Sequence, residues 1–403
     1  MRVFLLGAGA SKSYAQSPTG QRMPIAMDFF QTFDKLSAAS NPWVLQEGLY
    51  GYLFEKGIGN PHDFLRAGVD IEALHSEIED ARNSAALNAN SFLDYAIQNK
   101  AYVELIFIFA SVINEIQNGP VSNPHRVIAT HLKPDDAVLT FNWDTLMDRA
   151  LAQDTNWRPD FGYGEVPHKI FRDGWSEPSV EKQLAPKLIK LHGSTNWITA
   201  YPTNSEDGKI VLSHEADPGT LHVFEFAETP YACHAGRFMP GYCPYSYGYY
   251  PPNLFDVPGR RAPEGYMFTR VRPKVPWREE GTAPSDGLTS MPLIIPPVRK
   301  KSYDLFGALF ANLWKDAENQ LAQADEIVII GYSFPRTDLQ SNSLFLNAFL
   351  RRATVPRIVI IDPAPEKVGE KFRFEFGVPE SKMTVVKDYF SENFDLACHL
   401  GSA

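Results

Sequence analysis

Short, continuous apolar runs recur in the first half and in the last third of the chain. Such runs lack the alternation of a half-exposed strand, and they are typical of parallel strands covered on both faces. Seven segments fit: 2–6, 137–141, 187–191, 292–296, 326–330, 357–362 and 383–386. Helical patterns follow several of them, at 145–152, 303–324, 339–352, 365–375 and 389–400. This order predicts an α/β fold, a Rossmann-like parallel sheet with helices on both faces.

Two long segments interrupt this pattern. Residues 24–133 are mostly helical in pattern, with a helix start at Asn60 and a stop at Asn118. Residues 201–290 are rich in Pro, Tyr and Gly, which predicts an ordered but irregular insert that covers the cleft or contacts another subunit. We therefore predict a single domain over 1–403, with a helical module at 24–133 inserted after the first strand and a second insert at 201–290.

Polar residues cluster where the predicted strands end. In open α/β sheets, ligands bind outside the carboxyl ends of the strands, so these clusters predict one converging crevice. The clusters are Gly7-Ala8-Gly9-Ala10-Ser11, Thr140-Phe-Asn142-Trp-Asp144, Lys190-Leu-His192-Gly193-Ser194, Gly331-Tyr-Ser333 and the terminal Asp362 of its strand.

The first cluster has the form of a nucleotide-binding turn. Gly7 and Gly9 are expected to allow unusual backbone angles and to let a pyrophosphate approach the amides of a helix N-terminus. The third glycine of G-x-G-x-x-G is missing, because Lys12 occupies that region. The turn alone is therefore a weak signal. A dehydrogenase is excluded, since Asp28 lies in a helical pattern and not at a strand end.

Taken in order, these clusters resemble the sirtuin-like superfamily, and in particular its bacterial branch of NAD-consuming domains of anti-phage defence. The resemblance covers residues 1–200 and 290–400. It implies that Asn142 holds water or ribose hydroxyls beneath the anomeric carbon, that His192 is the base, and that Asp144 contacts the nicotinamide amide. It also implies that NAD is bound as the substrate by the remaining residues, which are Gly7, Ala8, Gly9, Ala10, Ser11, Thr140, Gly331, Ser333 and Asp362.

Structural interpretations stand beside these roles. Asn142 could cap the helix that follows it, and His192 could be a hydrogen-bonded histidine at a strand end. Asp144 could interact with a helix dipole. Asp338 is a weaker candidate, since a helix-capping role explains it equally well.

The chain departs from deacylating sirtuins in two places. Those enzymes carry two Cys-x-x-Cys pairs for a structural zinc, whereas this chain has only Cys233, Cys243 and Cys398. We expect no metal; a mixed site with His222 or His234 is the alternative. They also carry an Asp-Phe-Arg segment, and the matching residues at 28–30, Asp-Phe-Phe, lack the arginine.

Without these features, water is the expected nucleophile, and the predicted function is NAD⁺ glycohydrolysis to nicotinamide and ADP-ribose, linear or cyclic. A sirtuin-type deacylase or ADP-ribosyltransferase is the alternative within enzymes. A non-catalytic NAD or ADP-ribose sensor that acts through a partner is the alternative of another class.

Composition argues against several other classes of function and location. The net charge of −10 argues against direct nucleic-acid binding. Basic clusters at 270–278, 299–301 and 351–352 are better explained as solvated faces or a partner patch than as a DNA groove. No metal-binding carboxylate cluster supports a nuclease. Few cysteines, no signal peptide and an apolar window of only nine residues at 105–113 predict a cytoplasmic protein without membrane segments.

The expected partners follow from the toxicity that the predicted reaction would have for the cell. An unregulated NAD⁺ hydrolase would poison its own cell, so a gate is expected. The resemblance implies that activity is controlled by homo-oligomeric assembly, which could be of high order. The alternative is control by a HerA-like ATPase or a short Argonaute encoded nearby. The sequence does not reveal the activating signal.

Overall fold

A computed structural model describes residues 1–36, 39, 46–87, 92–171, 175–181, 183–206, 209–212, 221–225, 288–295, 308–335 and 339–401. Its strands are, in chain order, β1 (Arg2–Leu6), β2 (Ala137–Thr140), β3 (Lys169–Phe171), β4 (Trp175–Ser176), β5 (Lys187–Lys190), β6 (Gly193–Glu206), β7 (Lys209–Leu212), β8 (His222–Phe224), β9 (Leu288–Ile294), β10 (Glu326–Ile330), β11 (Arg357–Ile361) and β12 (Met383–Val386).

Six of these strands form the predicted parallel sheet. Their order is β12-β11-β10-β1-β2-β5, with every neighbouring pair parallel. Every residue of β2 and β10 is buried, as expected for strands covered on both faces. The order is that of a doubly wound Rossmann sheet, in which the direction of winding reverses between β1 and β10. The α/β Rossmann-like class predicted from the sequence is confirmed.

Helices pack around this sheet and fill the interval between β1 and β2. They are α1 (Ala8–Lys12), α2 (Phe29–Phe33), α3 (Glu47–Glu55), α4 (Pro61–Arg66), α5 (Ile71–Leu87), α6 (Phe92–Gln117), α7 (Asn123–Ala129), α8 (Leu146–Asp154), α9 (Pro159–Gly162), α10 (Ala308–Gln323), α11 (Leu339–Leu350) and α12 (Glu366–Phe374). The helices α2 to α6 have their own apolar core, which includes Tyr52, Leu105 and Ile116. Asn60 caps α4 by accepting from the Asp63 amide at 3.2 Å, as its sequence predicts.

A second sheet corrects the prediction for 292–296. That segment was expected to return to the parallel sheet, but β9 instead pairs antiparallel with β6. The reason lies at Gly193, whose positive φ of 78° turns the chain away after β5 and starts the long strand β6. β7 also pairs antiparallel with β6, so strands do occur in the first part of the 201–290 segment. Residues 226–287 of this insert lie outside the described residues.

The predicted helix at 389–400 is also wrong. Only Ala397–His399 forms a short 3-10 turn there. Aspartate side chains bond nearby backbone amides and thereby compete with helix formation: Asp388 Oδ1 accepts from the Tyr389 amide at 2.7 Å, and Asp395 Oδ1 from the Cys398 amide at 3.4 Å.

In the described parts of the chain, none of the helices combines the length and the apolar character that crossing a membrane requires.

Candidate active site

The glycine turn after β1 packs directly against the end of β10. The Gly9 amide donates to Gly331 O at 2.9 Å, and a Cβ on Gly7 would lie 2.5 Å from that same oxygen. Gly331 itself has a φ of 60°, and a Cβ there would lie 2.5 Å from Gly9 Cα. Gly7 is extended, at φ −116° and ψ −173°, so the expectation of an unusual backbone angle at this position is wrong. These glycines are required by the close approach of two backbones.

The amides of this turn are largely engaged within the protein. Gly7 N donates to Ile330 O at 3.1 Å, and Ala10 N donates to Gly7 O at 2.9 Å. Ala8 and Gly9 are exposed at the sheet edge, whereas Ala10 and Ser11 are buried. The accessible part of the turn is therefore its tip.

Ser11 connects the glycine turn to the residues that follow β2. Its Oγ donates to Asp144 Oδ2 at 2.5 Å and accepts from Asn142 Nδ2 at 2.7 Å. Asn142 Nδ2 also donates to Gly7 O at 2.7 Å, so both amide hydrogens point into the protein. This arrangement leaves Oδ1, a hydrogen-bond acceptor, as the polar atom that Asn142 can present to a ligand.

Asp144 is held from two sides. Its Oδ1 accepts from the Leu146 amide at 3.0 Å, at the start of α8, while Oδ2 accepts from Ser11. Asp144 therefore serves the helix start, as the structural interpretation holds. It also lines a pocket together with Asn142 and Ser11. Each carboxylate oxygen has a second lone pair, so capping does not prevent Asp144 from accepting a ligand donor.

This pocket is open to solvent, and the space between its walls, with that solvent included, is about 600 Å³. Its wall combines the polar side chains of Ser11, Asn142 and Asp144 with the half-exposed ring of Trp143. The remaining wall comes from the segment between β1 and β2. It is mostly apolar, with Glu72 as its acidic member; its large apolar residues are Met23, Ile25, Phe29, Ile71, Phe109 and Ile113. The ring of Phe109 meets Trp143 edge-on, with centroids 4.7 Å apart. A flat, apolar ring that carries an amide group fits such a pocket.

His192 lies beside the pocket among aromatic rings. The imidazole centroid is 5.0 Å from that of Phe141, 5.9 Å from that of Trp143 and 6.4 Å from that of Trp314. Its side chain is only 4% exposed, and the described pocket lining does not include it. Trp143 thus stands between the pocket and His192.

Several bonds fix the loop of Asn142 to Asp144 relative to His192. Trp143 O accepts from the Thr195 amide at 2.8 Å, and Trp143 Nε1 donates to Ile295 O at 3.0 Å. The Ile295 amide in turn donates to His192 O at 2.8 Å. The two predicted catalytic residues are therefore brought to adjacent strand ends and tied through Trp143.

A second histidine, His125, lies behind the site. It is buried, and its Nδ1 is 2.7 Å from Ser122 Oγ. Burial lowers the pKa of His125 to about 4, with nearby Asp144 opposing this shift and Lys190 adding to it. His125 is therefore neutral near pH 7.

The other predicted ligand-binding residues occupy the same sheet edge. Ser333 is exposed after β10, and Asp362, half-buried after β11, accepts from the Ala364 amide at 2.8 Å through Oδ1. Thr140 is buried; its Oγ1 donates to Leu6 O at 3.4 Å and accepts from the Asn142 amide at 3.0 Å. Thr140 therefore shapes the loop behind the pocket.

Sequence reasoning missed the apolar pocket wall, and it gave Lys190 no role in the site. The wall residues come from the helical segment, where apolar spacing signals only a core. Lys190 interrupts a continuous apolar run before His192, which was a usable signal. Among the residues that the structure describes, no three His, Cys, Asp or Glu side chains come together as a metal site. Cys233, Cys243, His234, Asp338 and the basic clusters at 270–278 and 299–301 lie outside the described residues.

Comparisons with known proteins add only distant similarities. No protein-family model and no curated protein matches the chain. One similar solved structure is a Sir2 homologue with a serine-to-alanine substitution in complex with ADP-ribose, at 13% identity, with 97% of this chain and 87% of that chain covered and a TM-score of 0.33. Another is Sir2 with a histidine-to-alanine substitution, with deacetylated p53 peptide and 3′-O-acetyl ADP-ribose, at 13% identity, 97% and 89% coverage and a TM-score of 0.34. Scores this low do not establish a common fold.

Proposed function

We propose that this chain is an NAD⁺ glycohydrolase that cleaves the bond between nicotinamide and ribose. The proposal rests on the two hydrogen bonds of the Ser11 hydroxyl, which we call the Ser11 junction. Its bonds of 2.5 Å to Asp144 and 2.7 Å from Asn142 orient an amide and a carboxylate at the mouth of one pocket. The rest of the pocket wall is mostly apolar, and the glycine turn lies next to it.

The proposed reaction needs little covalent help from the protein. Nicotinamide leaves the ribose C1′ as a neutral base and takes the bonding electron pair, which creates an oxocarbenium-like centre. A water molecule held by Asn142 Oδ1 attacks C1′, and its proton passes to His192 and then to solvent. The balance is NAD⁺ plus water to nicotinamide, ADP-ribose and a proton. Because His192 is 4% exposed behind Trp143, the proposal requires Trp143 to shift or a water to bridge them.

Other residues hold the substrate in this proposal. The pyridine ring lies against Phe109 and Trp143, and Asp144 accepts from the carboxamide. The exposed tip of the glycine turn faces the pyrophosphate, with Ser333 and Asp362 on the adenosine side, where a carboxylate can accept from ribose hydroxyls. No metal takes part.

Water is the proposed nucleophile because the chain lacks the paired cysteines and the arginine after Phe29. A sirtuin-type deacylase or ADP-ribosyltransferase would use the same pocket with another acceptor. A sensor would bind NAD⁺ or ADP-ribose there without turnover. The two hydrogen bonds that orient the Asn142 side chain favour an enzyme over a sensor.

The wider setting follows from the resemblance in sequence. We place the protein in the cytoplasm as an NAD-depleting effector of anti-phage defence. It would be held inactive until assembly or a partner ATPase or Argonaute activates it. We further propose that 1–403 forms one domain, in which the 24–133 module closes the nicotinamide end of the cleft.

Nicotinamide release from NAD⁺ in the absence of any acylated peptide tests the catalytic class. The purified and activated protein is incubated with NAD⁺ alone and with an acetyl-lysine peptide, and products are separated by liquid chromatography. We expect equal release in both, with ADP-ribose or its cyclic form as the second product. Release that strictly requires the peptide would establish the deacylase alternative, and binding without release under activating conditions would establish the sensor.

A further inference from the structure

A lysine with no assigned role is buried directly behind the site. Lys190 ends β5, two residues before His192, and its side chain is 0% exposed. Its Nζ donates to the backbone oxygen of Asp144 at 2.5 Å and to Asp148 Oδ2 at 2.9 Å. The ammonium therefore joins the strand of His192 to the loop of Asn142 and Asp144 and to the first turn of α8.

We propose that Lys190 is a positioning residue, which fixes the loop 141–145 relative to His192. Its effect on turnover rests on the proposed NAD⁺ hydrolysis, but its effect on the loop does not. The bond to Asp144 O fixes the backbone of the residue whose carboxylate contacts Ser11, and Ser11 in turn holds Asn142. Loss of the ammonium would release one end of this chain of contacts.

The surroundings of the ion pair argue for a role besides stability. Asp148 Oδ1 accepts from the Tyr163 hydroxyl at 2.5 Å, and that hydroxyl accepts from Asn196 Nδ2 at 3.3 Å. A buried charge needs this full set of hydrogen-bond partners. Well-packed apolar residues in place of a buried ion pair often give a protein of equal stability. What an apolar pair cannot supply is the donor to Asp144 O.

The same strand provides a matched control. Lys187 also pairs with an aspartate, with Nζ at 2.9 Å from Asp316 Oδ2. Its side chain is 38% exposed, and its partner lies on α10, the helix that also carries Trp314. Loss of this lysine removes an ion pair from β5 but no hydrogen bond to the loop 141–145.

The test compares Lys190→Met, the double variant Lys190→Met with Asp148→Leu, and Lys187→Met. Nicotinamide release gives kcat and KM, thermal melting gives stability, and amide hydrogen exchange is followed in peptides spanning 141–147. Peptides from β10 and β11 report on the rest of the sheet.

Both variants at Lys190 should exchange faster over 141–147 with unchanged β10 and β11. Their kcat should fall by about 10²-fold, the loss typical of a misplaced catalytic group, with a smaller change in KM. The double variant should melt above the single one, because it buries no unpaired carboxylate, and should stay as slow. Lys187→Met should match the parent in turnover and exchange.

Parental turnover in the double variant would overturn the inference, because it would show that the pair serves stability alone. Parental exchange over 141–147 in the Lys190 variants would overturn it as well. If Lys190→Met does not fold, the double variant decides both points. If the activated parent releases no nicotinamide, the proposed function fails, and the exchange measurement still decides whether Lys190 positions the loop.

Discussion

Replacement of Ser11 by alanine removes one oxygen atom that holds two site residues. The Asp144 carboxylate loses its 2.5 Å donor, and Asn142 Nδ2 loses its 2.7 Å acceptor, while the Ser11 side chain is almost fully buried. A hydrogen bond to a charged group contributes about 1.5–3 kcal/mol and a neutral one about 1 kcal/mol. Since Leu146 N still bonds Asp144 and Gly7 O still bonds Asn142, we expect a loss of about 2–4 kcal/mol in unfolding free energy.

Activity should fall more than stability requires. Without Ser11, one amide hydrogen of Asn142 has no fixed acceptor, so Oδ1 is no longer held toward the pocket. A catalytic group misplaced by about 1 Å costs on the order of 10²-fold in rate. The assay is urea unfolding followed by tryptophan fluorescence, with nicotinamide release measured on the same preparation at a temperature where the variant is folded.

Ser13→Ala is the matched control. Ser13 Oγ donates to Ala10 O at 2.5 Å and is partly exposed, so its loss should cost less than about 1 kcal/mol and leave turnover unchanged. If Ser11→Ala is as stable as Ser13→Ala and hydrolyses NAD⁺ at the parental rate, the Ser11 junction does not organise the site.

Three further predictions concern the frame of the site. Gly331→Ala should destabilise the protein far more than Gly377→Ala in urea unfolding. Both glycines have positive φ, but only at Gly331 would a Cβ meet backbone, at 2.5 Å from Gly9 Cα. Equal losses of unfolding free energy in the two variants would contradict this. Burial raises the pKa of Glu104 to about 7, so the fold favours the protonated carboxyl. The contribution of this protonated group to the unfolding free energy is therefore complete below about pH 4.5 and is lost as pH rises through 7. Glu104→Gln should therefore raise unfolding free energy at pH 8 by up to about 3 kcal/mol and not at pH 4, whereas a pH-independent difference would refute this. Elemental analysis should find no stoichiometric zinc and chelators should not lower the melting temperature; about one zinc per chain would overturn that.

The parallel sheet could be predicted because its strands are marked locally. Runs such as 327–330 are apolar throughout, as a strand buried on both faces requires. The Gly7 turn, Asn142 and Gly331 could be placed at one edge, since the carboxyl ends of parallel strands coincide. The path of the chain after Gly193 could not, because it depends on one positive φ and on pairing with β9, almost a hundred residues later.

The pocket was only half predictable. The polar wall follows from motifs at strand ends, but the apolar wall depends on how distant helices pack, and Phe109 looks in sequence like any core residue. The reason for the glycines was also wrong in part: Gly7 and Gly9 are required by contact with Gly331, which lies far away in the chain. His192 was placed at the correct strand end, but its aromatic enclosure arises from tertiary packing that the sequence does not show.

Turnover and ligand binding measured together on Asn142→Ala and His192→Ala test the central claim most directly. A lost general base costs on the order of 10²–10⁴ in rate, so nicotinamide release should fall close to background in both variants. NAD⁺ should still raise their melting temperature, because the adenosine half binds elsewhere on the sheet edge and stabilises the native state by mass action. If both variants release nicotinamide at the parental rate, Asn142 and His192 do not carry out the hydrolysis and the proposed mechanism is wrong.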